Sequence, residues 1–332
     1  MQQSQYKIAI WLLLCCIMIL IMVFVGGITR LTHSGLSITE WNPIIGIIPP
    51  LNDDDWLQEK NKYNVTPEYK YLNYDITLEE FKVLYLIEYF HRLLGRVTGI
   101  IFFVPLCYFI YTKKLNKHLY NFVIIAFLGM LQGLIGWYMV KSGLVDMPYV
   151  SHYRLAAHLL LALAVFCLLW KNFLNIVVIN DVNTVNFTGM VLLKIIFILI
   201  IFQIIYGALV AGLNAGLIFN TFPLMDGEIV PKGLFFMHPW WRNLFDNIIT
   251  VQFIHRVVAM IIITFVIITT IILRSYRVMY LLCVCTITQF ILGIGTLLYH
   301  VPIFLAAMHQ IMAFILCSIS LYILHCTKLK QK

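Results

Sequence analysis

A chain of 332 residues, of which 61% are hydrophobic and only 11% are charged, cannot cover a globular surface with polar groups, because soluble domains are about 45–50% apolar and about 25% charged. The net charge of +8 at pH 7 does not indicate nucleic acid as a partner. The basic residues lie singly or in small clusters beside apolar runs, as in proteins oriented across a membrane. Composition therefore predicts a membrane protein.

Apolar runs long enough to cross a bilayer recur along the chain, and each of them predicts a transmembrane helix, since about 20 apolar residues cross the hydrocarbon core. No small-residue cleavage site follows the first run, which predicts a retained helix rather than a signal peptide. The fold class expected is an all-α membrane protein. Its eight predicted spans are 8–25, 83–111, 119–140, 154–179, 190–212, 249–273, 277–299 and 302–326.

The distribution of charge predicts the topology. Lys and Arg dominate the short loops, and every acidic residue except Asp181 falls on the opposite side. Because cytoplasmic loops are rich in Lys and Arg, both termini are expected in the cytoplasm and the chain in the inner (plasma) membrane. Two long segments, about 26–82 and 213–248, are then expected to cover the outer surface as lids, with Asp53-Asp54-Asp55 as a solvated loop.

The chain also resembles itself across its midpoint. An ordered set of matches, about one for each helix, predicts two four-helix halves at 1–180 and 181–332, related by a pseudo-two-fold axis along the membrane normal. The matching residues are Gly26 to Leu36 with Gly207 to Leu217, His91-Arg92 with His255-Arg256, Gln132 and Gly136 with Gln289 and Gly293, and His158 with His309.

Four histidines lie on the second, fourth, sixth and eighth predicted spans, at similar depths: His91, His158, His255 and His309. Ionisable residues inside a membrane are costly and indicate function. A hydrogen bond to a neighbouring helix is the alternative for each of them. Two facing histidines on neighbouring helices supply both axial ligands of a haem iron. We therefore expect two haem sites, at His91 with His158 and at His255 with His309. Zinc would need four ligands converging on one ion.

Three arginines accompany these histidines: Arg92, Arg96 and Arg256. An arginine near the membrane interface favours a carboxylate partner, and haem propionates would provide it. The alternative is that these side chains extend to lipid headgroups.

The two halves differ in the residue three positions before the first histidine, which is Glu88 in one half and Gln252 in the other. This spacing places the side chain on the face of the helix that carries the histidine. Proton removal needs a titratable group, so the N-terminal half is predicted to perform chemistry and the C-terminal half to hold a resident haem. An ion pair between Glu88 and Arg92 is the alternative for this carboxylate.

The stretches Gly26 to Trp41, Glu88 to Arg96 and Phe253 to Arg256, together with His158 and His309, resemble the haem A synthase family over nearly the whole chain. The resemblance implies oxidation of the methyl group at ring position 8 of haem O to a formyl group by successive hydroxylations, which gives haem A for haem-copper cytochrome oxidase. It implies that His255 and His309 are axial ligands of a haem b cofactor, with Arg256 beside them. It implies that His91 and His158 form the substrate site, with Glu88 in catalysis.

One departure from the family concerns cysteine. Some bacterial members carry cysteine pairs in the outer loops, whereas segments 26–82 and 213–248 contain none. The partners implied by the resemblance are a haem O synthase that delivers the substrate, a membrane electron acceptor and the lipid bilayer.

Two other functions compete with this interpretation. A dihaem b-type cytochrome that passes electrons to or from quinone would explain four histidines, but not the difference between Glu88 and Gln252. A transporter would also explain repeats and intramembrane charge. Its helices should be broken at mid-depth, whereas Pro105 is the single proline well inside a predicted span.

Overall fold

The computed structural model describes residues 3–41, 45–115, 119–144, 148–178 and 183–330. Within these ranges, eight helices are long and apolar enough to cross a membrane, and two short helices lie between the first and the second of them. The predicted spans are confirmed, and the chain is an all-α, multi-pass membrane protein. The helices are α1 (Gln3–Leu31), α2 (Asp53–Tyr63), α3 (Pro67–Tyr71), α4 (Leu78–Tyr111), α5 (Leu119–Gly143), α6 (His152–Val177), α7 (Phe187–Gly212), α8 (Ile248–Ile272), α9 (Val278–Leu298) and α10 (Ile303–His325).

Helix α1 continues through Gly26 and Gly27 to Leu31, beyond the predicted end at residue 25. Paired glycines do not stop a membrane helix, because breaking its backbone hydrogen bonds in hydrocarbon costs more than the flexibility of glycine. The hydroxyl of Thr29 donates to the carbonyl oxygen of Val25 at 2.9 Å, which keeps its own polar group satisfied along the helix.

The long segment after α1 contains the helices α2 and α3 and a short 3-10 turn at Ile45–Ile47. Asp53 and Asp54 are exposed to solvent as expected, but the prediction of a loop is wrong, because Asp53-Asp54-Asp55 form the first turn of α2. The side chain of Asn52 caps this turn by accepting a hydrogen bond from the backbone of Asp55. Acidic side chains also favour the positive end of a helix dipole.

An aromatic cluster joins this segment to the start of α4. Ile38, Tyr63, Phe81 and Tyr85 are buried against one another, and Thr77 begins α4 with a capping box. Since α4 starts at Leu78, it is longer than the predicted span that began at residue 83. The cluster therefore fixes the backbone near Ile38 against the first turns of the helix that carries Glu88 and His91.

The last four long helices pack as neighbours, α7 with α8, α8 with α9, α9 with α10 and α10 with α7. The parallel strands β1 (Asn183–Val185) and β2 (Thr327–Leu329) connect the segment before α7 to the segment after α10. These strands were not predicted from the sequence.

The described residues fall into two compact units, one within Met1–Cys16 and Phe166–Lys332 and one within Ile17–Val165. The predicted boundary at 180/181 lies outside the described residues. The division into halves 1–180 and 181–332, and the pseudo-two-fold relation between them, therefore stay predictions.

Candidate functional site

His255 on α8 and His309 on α10 lie beside each other within one unit. Their ring centroids are 6.5 Å apart and their planes are inclined by 75°. A bond between a metal and an imidazole nitrogen is about 2 Å long, so this separation leaves room for one metal atom between the rings. These are the two residues predicted as axial ligands of a resident haem.

His91 on α4 and His158 on α6 lie in the other unit. The two imidazoles are close enough to interact electrostatically. The structure thus brings together the two histidines of each predicted pair. Iron ligation by either pair stays a prediction.

Three of the four imidazoles contact a glutamine amide on a neighbouring helix. The amide nitrogen lies 3.2 Å from Nε2 in the contact of Gln132 with His158, 3.3 Å in that of Gln203 with His255 and 3.5 Å in that of Gln289 with His309. Gln203 also donates to the backbone oxygen of His255 at 2.9 Å. Gln132 and Gln289 were recognised in the sequence as repeat matches without a predicted contact, and Gln203 was not predicted.

The contact of Gln203 could have been recognised from its distance of four residues to Gly207. Each glutamine stands one helical turn before a glycine that faces the same histidine, as Gln203 does before Gly207. The corresponding position before Gly26 is Met22, so the repeat alone does not predict Gln203. His91, which faces Gly26, receives no side-chain hydrogen bond from any residue that the structure describes.

Polar atoms without a described hydrogen-bond partner are found on the imidazoles of His255 and His309 and on the glutamines that contact them. Among the described residues, Nδ1 of His255 and His309 and Oε1 of Gln203 and Gln289 are buried without a hydrogen-bond partner. Burying such atoms unpaired is costly, and native structures rarely do so. These atoms therefore indicate that a ligand completes the site.

The set of donors fits haem. In the described parts of the chain, no group of three or more His, Cys, Asp and Glu side chains could hold a metal ion. A free zinc ion would need such a group. An iron already held by four porphyrin nitrogens needs only axial ligands, and a pair of histidines supplies them.

The carboxylate of Glu88 is buried, at 2% exposure, and both of its oxygens accept hydrogen bonds. Oε2 accepts from the hydroxyl of Ser37 at 2.7 Å and from the backbone N–H of Ile38 at 2.8 Å. Oε1 accepts from Nη2 and Nε of Arg92, at 2.7 and 3.0 Å. The ion pair that the sequence offered as an alternative is present, and it fixes the position of the carboxylate on the same helix as His91.

Gln252 takes the place of this carboxylate in the other unit. Its amide nitrogen donates to the backbone oxygen of Phe219 at 3.1 Å, while its Oε1 is buried without a partner within the described ranges. The difference between Glu88 and Gln252 that the sequence indicated is therefore a difference between an ion pair and a neutral amide.

Arg92 and Arg256 make equivalent contacts with the loops. Arg92 donates to the backbone oxygens of Ile38 and Glu40, at 2.9 and 3.0 Å. Arg256 donates to those of Phe219 and Thr221, at 2.6 and 2.8 Å. Counted from Gly26 and Gly207, these four carbonyl groups occupy matching positions of the repeat.

The guanidinium groups thus hold the start of each long loop. The Nε atom of Arg256 is buried with no partner among the described residues, so a donor remains available to a carboxylate. Arg96 lies half-buried on α4, one turn after Arg92. The predicted contact of these arginines with propionates stays a prediction.

Comparison with known proteins identifies the family. The model of the COX15-CtaA family, described as "Cytochrome oxidase assembly protein", matches residues 9–321. The chain belongs to the COX15-CtaA family. The predicted resemblance is confirmed at this level.

Several relatives within the COX15-CtaA family carry the name Heme A synthase. The protein of that name from Ehrlichia canis (strain Jake) is 56% identical over 325 residues, which cover 97% of this chain and 94% of the relative. That from Wolbachia pipientis wMel is 53% identical and covers 96% of this chain and 91% of the relative. The protein of that name from Anaplasma marginale (strain Florida) is 46% identical, and the match covers 97% of this chain and 94% of the relative.

Proposed function

We propose that this protein is a haem A synthase, which oxidises the methyl group at ring position 8 of haem O to a formyl group for haem-copper cytochrome oxidase. The observation that carries the proposal is a duplicated pair of membrane-buried histidines, only one copy of which has a carboxylate beside it. Family membership and the full-length similarity to proteins named Heme A synthase support it.

The substrate site comprises His91 and His158, which hold the iron of haem O, and Glu88, which takes up protons. With water as the source of the oxygen atom, oxidation of a methyl group to a formyl group (R–CH3 + H2O → R–CHO + 4 H+ + 4 e−) passes four electrons to the membrane acceptor and releases four protons, two in each two-electron step. A proton acceptor must therefore stand close to the substrate. Four hydrogen bonds keep the Glu88 carboxylate in one position, and Arg92 and Arg96 bind the propionates.

His255 and His309 would hold the iron of a haem b cofactor, and Arg256 would support it at the loop. When bound there, haem b supplies one-electron transfer between the substrate site and a membrane electron acceptor. The neutral Gln252 suits this task because electron transfer needs no proton acceptor. The amide nitrogens of Gln203 and Gln289 contact the Nε2 atoms of His255 and His309 and help to hold the two rings in place.

The protein lies in the inner membrane with both termini in the cytoplasm, and its two long segments face outward. A haem O synthase in the same membrane delivers the substrate. The charge distribution of the short loops supports this orientation.

Product analysis tests the function. The chain is expressed together with a haem O synthase in cells that lack haem A, and the extracted haem is analysed by mass and pyridine haemochrome spectrum. Haem A is the expected product. Haem O and haem b without haem A, in a protein that binds two haems, would support a dihaem b-type cytochrome instead.

A further inference from the structure

Each of the four histidines packs against one glycine of a neighbouring helix. A Cβ atom built on the glycine would lie close to the imidazole ring in every case. The distance to the nearest ring atom is 3.3 Å for Gly26 and His91, 3.2 Å for Gly136 and His158, 3.3 Å for Gly207 and His255 and 2.9 Å for Gly293 and His309.

These contacts differ from ordinary close packing between helices. Small residues at a helix crossing let two backbones approach, and the nearest neighbour is then backbone or an aliphatic side chain. At Gly26 and Gly207 the only described atoms within 4 Å of the Cβ position belong to the imidazole. At Gly136 and Gly293 the three nearest atoms do.

Other glycines of the same helices do not contact an imidazole. Gly189 on α7 has neighbours at 3.1 to 3.3 Å, but these are side-chain atoms of Leu273, Asn186 and Val185. Gly129 and Gly133 on α5 and Gly99 on α4 have no described atom within 4 Å of a Cβ position. The contact is therefore specific to the glycines opposite histidines, and the two pairs that the repeat relates, Gly26 with Gly207 and Gly136 with Gly293, share it.

We propose that Gly26, Gly136, Gly207 and Gly293 are positioning residues that set the orientation of the four axial imidazoles. This inference rests on the proposed function, in which the histidines bind haem iron. A methyl group at any of these positions would push the ring away, and a ring bonded to iron cannot move without tilting that bond. Overpacking of this kind is costly because packed interiors relax little.

Spectroscopy of the resident haem tests the proposal in the purified full-length protein. Gly293→Ala places its methyl group closest to a ring. We expect shifted low-spin electron paramagnetic resonance g-values, a changed midpoint potential and about tenfold faster loss of haem to apomyoglobin. The matched control is Gly133→Ala, which adds the same methyl group in open space and should match the wild type in all three measurements.

Two further variants test the proposal if Gly293→Ala does not fold and extend it to the substrate site. If Gly293→Ala does not fold, Gly207→Ala, with a wider contact, should shift the same g-values. Gly26→Ala should raise the KM for haem O, while the spectrum of the resident haem stays unchanged. Wild-type g-values and haem retention in Gly293→Ala or Gly207→Ala, or the same shifts in Gly133→Ala, would overturn the inference.

The failure of this inference is distinct from a failure of the proposed function. Spectra report on bound haem whether or not haem A is made. A wild-type protein without haem would contradict the proposed function. A haem-bound wild type with unaffected glycine variants would contradict only the positioning role.

Discussion

Arg92 donates two hydrogen bonds to one carboxylate oxygen of Glu88, at 2.7 and 3.0 Å, from one helical turn further along the same helix. The guanidinium also holds the backbone oxygens of Ile38 and Glu40. Glu88 is therefore both the acidic group beside His91 and part of the anchor of a long loop. Experiments on this residue must separate chemistry from anchoring, since breaking a buried ion pair by removing one partner costs about 3–5 kcal/mol.

The first prediction concerns Glu88→Gln. The amide has the same size as the carboxyl group, and its one oxygen can still accept from Arg92. Its NH2 group takes the place of the oxygen that accepts from Ser37 and Ile38, so the protein should lose some stability while the fold and the resident haem persist. Haem A formation should fall about 10²- to 10⁴-fold, because the proton acceptor is lost. Haem extraction measures the product and the low-spin spectrum measures the resident haem.

A comparison of variants separates the two roles of Glu88. Glu79→Gln, on an exposed turn of the same helix, controls for the loss of a negative charge and should retain activity. Arg92→Lys keeps the charge, but the three donors of an ammonium group cannot replace all four hydrogen bonds that Arg92 makes to Glu88, Ile38 and Glu40. It should lower activity less than Glu88→Gln. Equal losses in Arg92→Lys and Glu88→Gln would indicate that the carboxylate only anchors the loop.

The sequence predicted the parts of the site that depend on pattern. Depth along a helix and repetition located the four histidines, and the spacing of four residues correctly indicated the ion pair of Glu88 with Arg92. The partners of Arg92 and Arg256 in the loops could not be predicted, because backbone oxygens such as that of Phe219 carry no sequence signal. Gln203 was not predicted because the equivalent position in the N-terminal half, four residues before Gly26, is occupied by Met22.

The segment between α1 and α4 and the two strands differ in what the sequence could predict. Asn52 and Thr77 each stand three residues before an acidic residue, which is a recognisable helix start, so α2 and the earlier start of α4 were accessible to sequence reasoning. The strands β1 and β2 were not, since three-residue strands far apart in the chain pair only through tertiary structure.

The second prediction concerns the axial ligands of the resident haem. His255→Ala and His309→Ala should each abolish the low-spin spectrum, because a single imidazole leaves one axial position of the iron open. The haem content of the purified protein should fall as well. His238→Ala, at an exposed position of segment 213–248, is the control and should keep both. An unchanged low-spin spectrum in either ligand variant would refute the assignment.

The third prediction concerns the loop anchor at Arg256. Arg256→Met removes charge-assisted hydrogen bonds to Phe219 and Thr221 in a buried setting, and each such bond contributes about 1.5–3 kcal/mol. The free energy of unfolding in detergent should fall by about 3–6 kcal/mol, with faster proteolysis of segment 213–248.

The matched control for this anchor is Arg242→Met. Arg242 forms an ion pair with Asp246 on the surface of the same segment, and surface pairs contribute about 0–1 kcal/mol. A loss of stability in Arg256→Met no larger than that in Arg242→Met would contradict the anchoring role.

The fourth prediction concerns pH. Burial, together with the nearby negative charge of Glu88, raises the pKa of Glu68 to about 8, against the lowering effect of a hydrogen bond from Tyr63. The folded protein therefore keeps a proton on Glu68 that the unfolded chain, with a pKa of 4.5, has already released. Stability should fall as pH rises between these two values, by up to about 1.4 kcal/mol per pH unit from this group, and level off above them.

Glu68→Gln removes this dependence because the amide does not titrate. The melting temperature of the variant minus that of the wild type, measured in detergent, should become more positive from pH 5 to pH 8. Asp75→Asn, at an exposed position of the same segment, should give a constant difference. Since Glu68 lies on α3 beside the buried ring of Tyr63, the loss should first affect α2 and α3, and hydrogen exchange of residues 53–71 measures it. A difference between Glu68→Gln and wild type that does not change with pH would show that Glu68 is ionised in the folded protein.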